Sequence, residues 1–344
     1  MKTIREALRA AGARPRHEAL ALRAWTRGLA LAALAHREDS RFSARLRAAV
    51  PAPEGRLAKL VTVRSEHAGM DGSVRLLLAL GDGATIESVL LPGDGVCVST
   101  QVGCAVGCVF CMTGRDGLQR HLRSGEIVAQ VALVRARRAI RRVVFMGMGE
   151  PAHNLENVLE AIDLLGTEGG LNTKNLVFST VGDRRVFERL PLGRVKPALA
   201  LSLHTTKPEL RTLLMPRAPR IDPADLVALA DAYSRATNYP TQYQWTLLEN
   251  VNDGDDELER IAELLSGKYA VMNFIPYNTV QGSVYRRPSW ERAAQMTRYL
   301  HGRGVLAKVR RSAGQDVEAG CGQLRQRHEE AGRAVAVENA PGGA

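Results

Sequence analysis

Cysteine is scarce in this chain: five occur among 344 residues, and four of them fall between Cys97 and Cys111. A chain this long with so few thiols has no disulfide framework to hold it together. Aromatic residues make up only 5% of the sequence, which argues against a stacking platform for long single-stranded nucleic acid. No apolar run reaches the length of a bilayer-spanning helix. The longest candidate, Gly28 to Ala35, is short and bracketed by arginines, so no membrane association is expected. The start, Met1-Lys2-Thr3-Ile4-Arg5-Glu6, has neither an apolar stretch nor a cleavage site of the export type, and a reducing, cytoplasmic setting is expected. Acidic charge is also in short supply. With 36 Asp and Glu against 47 Lys and Arg, the net charge is +11 and the isoelectric point about 9.8. Such an excess favours polyanionic partners without separating RNA from DNA or an acidic membrane. The apolar content of 45% is ordinary, and the length suffices for one large core plus a smaller accessory region.

What is there is concentrated in one stretch. Cys104, Cys108 and Cys111 stand in a C-x₃-C-x₂-C spacing on a loop that follows a short β-type run, Val96 to Thr100. Three thiolates so spaced can hold three corners of a cubane iron–sulfur cluster, leaving the fourth iron without a protein ligand. An open iron suits chemistry on a small molecule better than electron storage, where four cysteines usually close the cluster. A structural zinc site would want a second pair of ligands, and none follows: the remaining cysteine, Cys321, lies far along the chain.

Around this loop the sequence falls into four expected regions. Residues 1–55 read as a basic helical segment punctuated by Pro15 and Pro51, residues 56–95 as a small β unit with turns at Gly72 and Gly81-Asp82-Gly83, and residues 96–324 as alternating strands and helices. Residues 325–344 read as a polar, disordered tail. About six βα units predict an α/β fold, a partial, open (β/α)6 barrel, with functional residues at the C-terminal ends of its strands. Glu87 sits inside a strand of the β unit, and most glutamates so placed face solvent from an edge. Gly147-Met148-Gly149-Glu150-Pro151 follows the second barrel strand.

The cysteine spacing, with Phe110 just before the last ligand, resembles the radical S-adenosylmethionine (radical SAM) superfamily. The flanks Cys97-Val98-Ser99-Thr100-Gln101-Val102-Gly103-Cys104 and Gly117-Leu118-Gln119-Arg120-His121-Leu122 resemble the RlmN/Cfr-type RNA adenine methyltransferases. The resemblance implies a [4Fe–4S] cluster on Cys104, Cys108 and Cys111, S-adenosylmethionine (SAM) on its open iron, and a 5′-deoxyadenosyl radical. It implies SAM contacts from Gly149, Glu150, Ser179, Ser202, Leu203, His204 and Asn278. It also gives Cys321, between two glycines, the role of carrying a methyl group as S-methylcysteine. Cys97 would release the product, leaving a Cys97–Cys321 disulfide, and Glu87 would accept a proton. The implied substrate is an adenine ring carbon, C2 first and C8 second, in ribosomal RNA and also transfer RNA. An electron donor such as flavodoxin or ferredoxin is implied, and the chain is expected to be a monomer.

The chemistry explains the apparatus. C2 and C8 of adenine are electron-poor and do not attack a sulfonium methyl group as ordinary nucleophiles, whereas a thiolate does. Three departures from the family pattern bear on substrate choice: Met112 after the last ligand, Val181 in Ser179-Thr180-Val181-Gly182, and Gln244 in place of an acidic residue. Two other classes stay open at this point. One is an RNA-binding factor that keeps a cluster for stability, against which the paired Cys97 and Cys321 argue. The other is a radical SAM enzyme acting on a small molecule or peptide, against which the basic N-terminal segment argues.

Overall fold

A computed structural model describes residues 2–35 and 42–327. Its organising element is a ten-stranded sheet with the linear order β1-β2-β3-β4-β7-β8-β9-β10-β11-β12. Three strands of the N-terminal half, β1 (Val61–Ala68), β2 (Val74–Leu80) and β3 (Thr85–Leu90), pair antiparallel, and β3 passes the pairing to β4 (Gly95–Cys97). From β4 onward every pairing is parallel, through β7 (Arg142–Phe145), β8 (Leu176–Thr180), β9 (Ala198–Ser202), β10 (Thr241–Leu247), β11 (Ala270–Pro276) and β12 (Ala307–Val309). The β unit expected at 56–95 is therefore continuous with the barrel sheet. A separate two-stranded ribbon, β5 (Gln101–Gly103) against β6 (Leu118–His121), brackets the cysteine loop.

The parallel strands are short apolar runs because helices cover them. Phe145, Phe178, Leu199, Trp245 and Phe274 are all buried in one continuous core. The crossovers are α6 (Ser124–Arg135), α7 (Leu155–Thr167), α8 (Arg184–Arg189), the pair α9 (Pro208–Leu214) and α10 (Pro223–Thr237), α11 (Asp255–Leu265) and α12 (Trp290–Gly302). These six crossovers give the open (β/α)6 arrangement expected from the sequence. Side-chain caps set where they start: the Glu126 carboxylate accepts from the Arg123 amide at 2.7 Å, Asp222 from Ala224 at 2.8 Å and Ser289 from Arg292 at 3.0 Å. Asn238, at φ 52°, ends α10 in the left-handed conformation.

The basic N-terminal segment folds as short helices, α1 (Lys2–Ala10), α2 (Pro15–Thr26), α3 (Leu31–Ala35), α4 (Ala44–Ala49) and α5 (Pro51–Ala58). They do not stand apart from the rest. Leu8, Leu22, Trp25 and Leu46 belong to the same buried core as the barrel, and Arg135 of α6 donates to the Thr26 carbonyl at 3.0 Å. At the other end the described chain runs two residues past Arg325, where the polar tail was expected to start. Arg325 and Arg327 are bound into the fold by Glu87, and only the part from residue 328 lies outside the described residues.

Candidate active site

The C-terminal ends of the parallel strands converge on the cysteine loop. At its neck Gly103 has φ +75°, and a Cβ there would lie 2.0 Å from the Gly117 carbonyl oxygen, so the two arms of the ribbon close tightly only on glycine. The Cys104 amide donates to the same carbonyl at 3.0 Å, and the Cys111 amide to Cys108 at 3.0 Å. Beneath the loop lies a second apolar cluster that includes Val106, Phe110, Met112, Leu214, Met215 and Tyr277.

Cys104 is buried, and Cys108 and Cys111 are half-buried. Burial pushes the Cys104 thiol up to about 12 and raises Cys108 and Cys111 as well, so without a metal partner these sulfurs hold their protons. Among the described residues no three His, Cys, Asp or Glu side chains converge on a single ion. A cubane asks for something else, because each thiolate binds a different iron. Three soft donors on one loop, beside a cavity, fit the [4Fe–4S] cluster.

A cavity of about 150 Å³ opens over the three cysteines. Gly149, Glu150, Ser179, Ser202 and His204 line it. Gly149 has φ +102°, and a Cβ there would meet the Gln101 side chain at 2.6 Å. The Gln101 carboxamide needs that room: its oxygen accepts from the Glu150 amide at 2.7 Å. The Glu150 carboxylate accepts from Ala152 and from Val181, each at 3.0 Å, which orients it. Burial raises it to about 7, and a ligand ammonium in the cavity would draw it back toward the ionised form. His204 has φ 62°, and its Nδ1 accepts from the Thr246 amide at 2.9 Å, which leaves the proton on Nε2. Its ring meets Phe110 edge to face, with centroids 4.8 Å apart.

Two expected contacts stand behind this lining. Leu203 is buried, and its amide donates to the Gln244 carbonyl at 3.1 Å. Asn278 donates to Ser312 Oγ at 2.8 Å and to the Cys321 carbonyl at 3.0 Å, so it holds the Cys321 loop. Neither is in the cavity wall. Conversely, sequence reasoning placed Gln244 only as a departure from pattern and did not single out Thr246 or Arg310, all of which line the cavity. Gln244 is buried and its Oε1 has no partner, which leaves an acceptor for a bound ligand. An orphaned acceptor, an oriented carboxylate and a fixed imidazole donor suit a zwitterionic nucleoside such as SAM. On the sheet Gln244 is the register partner of Ser202 on the neighbouring strand.

A second, larger cavity of about 700 Å³ adjoins the first. Cys97, Met70, Asp71, Leu91, Arg311 and Ser312 line this one alone, whereas Cys111, Cys321, Gly322 and Arg310 line both. Cys321 thus stands in the shared wall. It is exposed, Cys97 is 8% exposed, and both are free thiols. Burial, then the neighbouring Cys321, pushes the Cys97 thiol up to about 12.

Glu87 lies elsewhere. It is fully buried, not solvent-facing, and lines neither cavity. Its carboxylate pairs with Arg75 and Arg327 and accepts the Arg325 amide.

Comparison with known proteins agrees with this geometry. Residues 98–265 match the model of the radical SAM superfamily. A protein of Aromatoleum aromaticum, named a probable RNA methyltransferase, is 70% identical over 94% of this chain and 91% of its own length. One of Methylibium petroleiphilum with the same description is 66% identical over 99% of this chain and 97% of its own. Among solved structures, a radical SAM methyltransferase from Sphaerobacter thermophilus superposes with a TM-score of 0.75 at 36% identity, covering 83% of this chain and 86% of that one.

Proposed function

Because the chain belongs to the radical SAM family of RNA methyltransferases, we propose that it methylates a ring carbon of adenine, C2 first, in ribosomal RNA and also in transfer RNA. Cys104, Cys108 and Cys111 hold the [4Fe–4S] cluster. When bound, the cluster and SAM supply a methyl group and a 5′-deoxyadenosyl radical able to remove hydrogen from it. Everything else falls to the protein.

The carrying observation is the place of Cys321 in the wall between the two cavities. A thiolate there reaches a sulfonium methyl group on one side and a base on the other. Cys321 takes the methyl by displacement and presents it to the larger cavity. Once that methyl has lost a hydrogen atom, its carbon would bond to the adenine ring carbon, whose own hydrogen leaves as a proton while the odd electron passes to the cluster. Cys97, which faces that cavity alone, then attacks the Cys321 sulfur: the S–S bond forms, the S–C bond to the modified base breaks, and its electron pair leaves with the carbon, which takes a proton. Glu150, Ser179, Ser202, His204 and Gln244 orient SAM. Around the larger cavity, Arg310 and Arg311 offer cations to phosphate. Exposed Arg14, Arg16, Arg45 and Arg47 of the N-terminal helices extend a basic surface for RNA. A one-electron donor of the flavodoxin or ferredoxin kind completes the set, and the reading takes the chain as a cytoplasmic monomer. No helix among the described residues is long and apolar enough to cross a membrane.

The test is mass spectrometry of RNA nucleosides from a strain lacking the gene beside its parent. Loss of one methyladenosine is expected, with the 2-methyl and 8-methyl isomers separated by retention time. Identical nucleosides in the two strains would overturn the reading.

A further inference from the structure

Glu87 is positioned to do something other than accept a proton from RNA. Its carboxylate is sealed from both cavities, yet it touches the segment after Cys321 directly and is linked through Arg75 to the segment before it. Oε1 receives Arg75 Nη1 and, at 2.8 Å, Arg327 Nε; Oε2 receives the Arg325 amide at 2.9 Å. Arg75 in turn donates from Nε to the Val317 carbonyl at 2.6 Å. Val317 lies four residues before Cys321 and Arg325 four after it. A single buried ion group therefore grips the loop at both ends. The main chain of the same residue supports the other thiol: the Glu87 carbonyl accepts Ser99 Oγ at 2.5 Å, two residues beyond Cys97.

We propose that Glu87, with Arg75, is a positioning residue that sets the path of the Cys321 loop against the Cys97 strand. The physical case rests on what replaces each bond. A carboxylate offers acceptors to two guanidinium groups and an amide, all of them donors. Gln at 87 would present an NH₂ to one of those donors, and the buried guanidinium charges would lose their counter-charge. The sheet would keep its shape, while the loop would lose its tether. Thr113 Oγ1, which donates to the Leu324 carbonyl at 2.6 Å, Asn278 and the Met112 amide would still hold the middle of the loop, without the grip of Glu87 and Arg75 on its flanks. The proposal rests on Cys321 being the methyl carrier, and the experiment below separates the two ideas.

Full-length, cluster-loaded protein is used throughout. In Glu87→Gln, amide hydrogen exchange across residues 314–327 should quicken by about tenfold or more. Iron content and SAM binding should match wild type. Methyl loading of Cys321, read as peptide mass, should fall on the order of a hundredfold, the scale of a small misplacement at a reacting centre. Arg75→Lys keeps a cation beside Glu87 but cannot reach both Glu87 and Val317, and should show the same pair of changes. Glu87→Asp should recover part of both. A proton acceptor at this position makes a different forecast, since Glu87→Gln would load Cys321 normally and stall only after attacking RNA. Exchange or loading at the wild-type rate in Glu87→Gln overturns the proposal. If Glu87→Gln does not fold, wild-type exchange or loading in Arg75→Lys overturns it instead. Should exchange quicken while wild type itself never carries a methyl group on Cys321, the grip stands and the methyl-carrier reading falls.

Discussion

The amide of Met112 donates to the carbonyl of Gly322 at 2.7 Å. This one bond joins the residue after the last cluster ligand to the residue after the exposed cysteine, and so sets Cys111 and Cys321 side by side in the wall between the cavities. Gly322 makes the approach possible. Its φ is +84°, and a Cβ there would lie 2.7 Å from the Phe110 carbonyl oxygen.

Gly322→Ala should therefore push the Cys321 loop away from the cluster loop, with a local backbone cost of about 1–3 kcal/mol. Iron binding should survive, since the ligands sit on the other loop. Methyl loading of Cys321, followed by intact mass, should drop at least about tenfold. Loading at the wild-type rate would show that the two loops need not meet.

The cluster assignment is checked by Cys108→Ala. Anaerobic reconstitution of wild type should give about one [4Fe–4S] per chain. The variant should lose iron and make no 5′-deoxyadenosine, by iron assay and chromatography. Continued 5′-deoxyadenosine formation would contradict the assignment of these three thiols.

His204 carries a pH signature. Burial, then Arg211, pushes its imidazole down to about 3 in the folded protein, against an ordinary value near 6.5. Above pH 6.5 neither folded nor unfolded chain is protonated there, and nothing is lost. As pH falls from 6.5 toward 3, only the unfolded chain takes the proton, and folding stability drops by up to about 1.4 kcal/mol per pH unit. His204→Asn tolerates φ 62° and cannot titrate, so its urea-unfolding free energy should depend less on pH across that window. Equal slopes for wild type and variant would remove the buried neutral histidine from the account.

RNA docking is tested on charge rather than by deletion. Removing residues 1–50 would strip Leu8, Leu22, Trp25 and Leu46 from the shared core. Changing exposed Arg14, Arg16, Arg45 and Arg47 to Gln leaves that core whole. RNA affinity should weaken, and the slope of log K against log salt should shrink by about 0.7–0.9 for each phosphate that is no longer neutralised. An unchanged slope would return these arginines to an ordinary solvated surface.

Much of the site was legible in the sequence because its chemistry is local. Three ligand thiols share one loop, and Gly149, Glu150, Ser179 and Ser202 follow strands whose apolar runs are unmistakable. The β5–β6 ribbon escaped because Gln101–Gly103 and Leu118–His121 are too short to show alternation. The burial of Glu87 was not legible, because its partners are 12 and 240 positions away and pairing at such range leaves no periodic trace. The same pairing involves the first residues of the expected tail. Composition alone makes Arg325 and Arg327 look solvated, whereas buried Glu87 holds them. Gln244 stood out in the sequence only as a departure from pattern, and its orphaned oxygen beside the cavity adds it to the site.

The central claim is that Cys321 carries the methyl group and Cys97 releases the product. The direct measurement is a denaturing gel of Cys97→Ala protein incubated with RNA, SAM and reductant. With its partner thiol removed, Cys321 should stay bonded to the modified base, giving a slower-migrating, nuclease-sensitive protein–RNA band that vanishes in the Cys97→Ala/Cys321→Ala double variant. Free, fully methylated RNA from Cys97→Ala, or normal methylation by Cys321→Ala alone, would contradict the account.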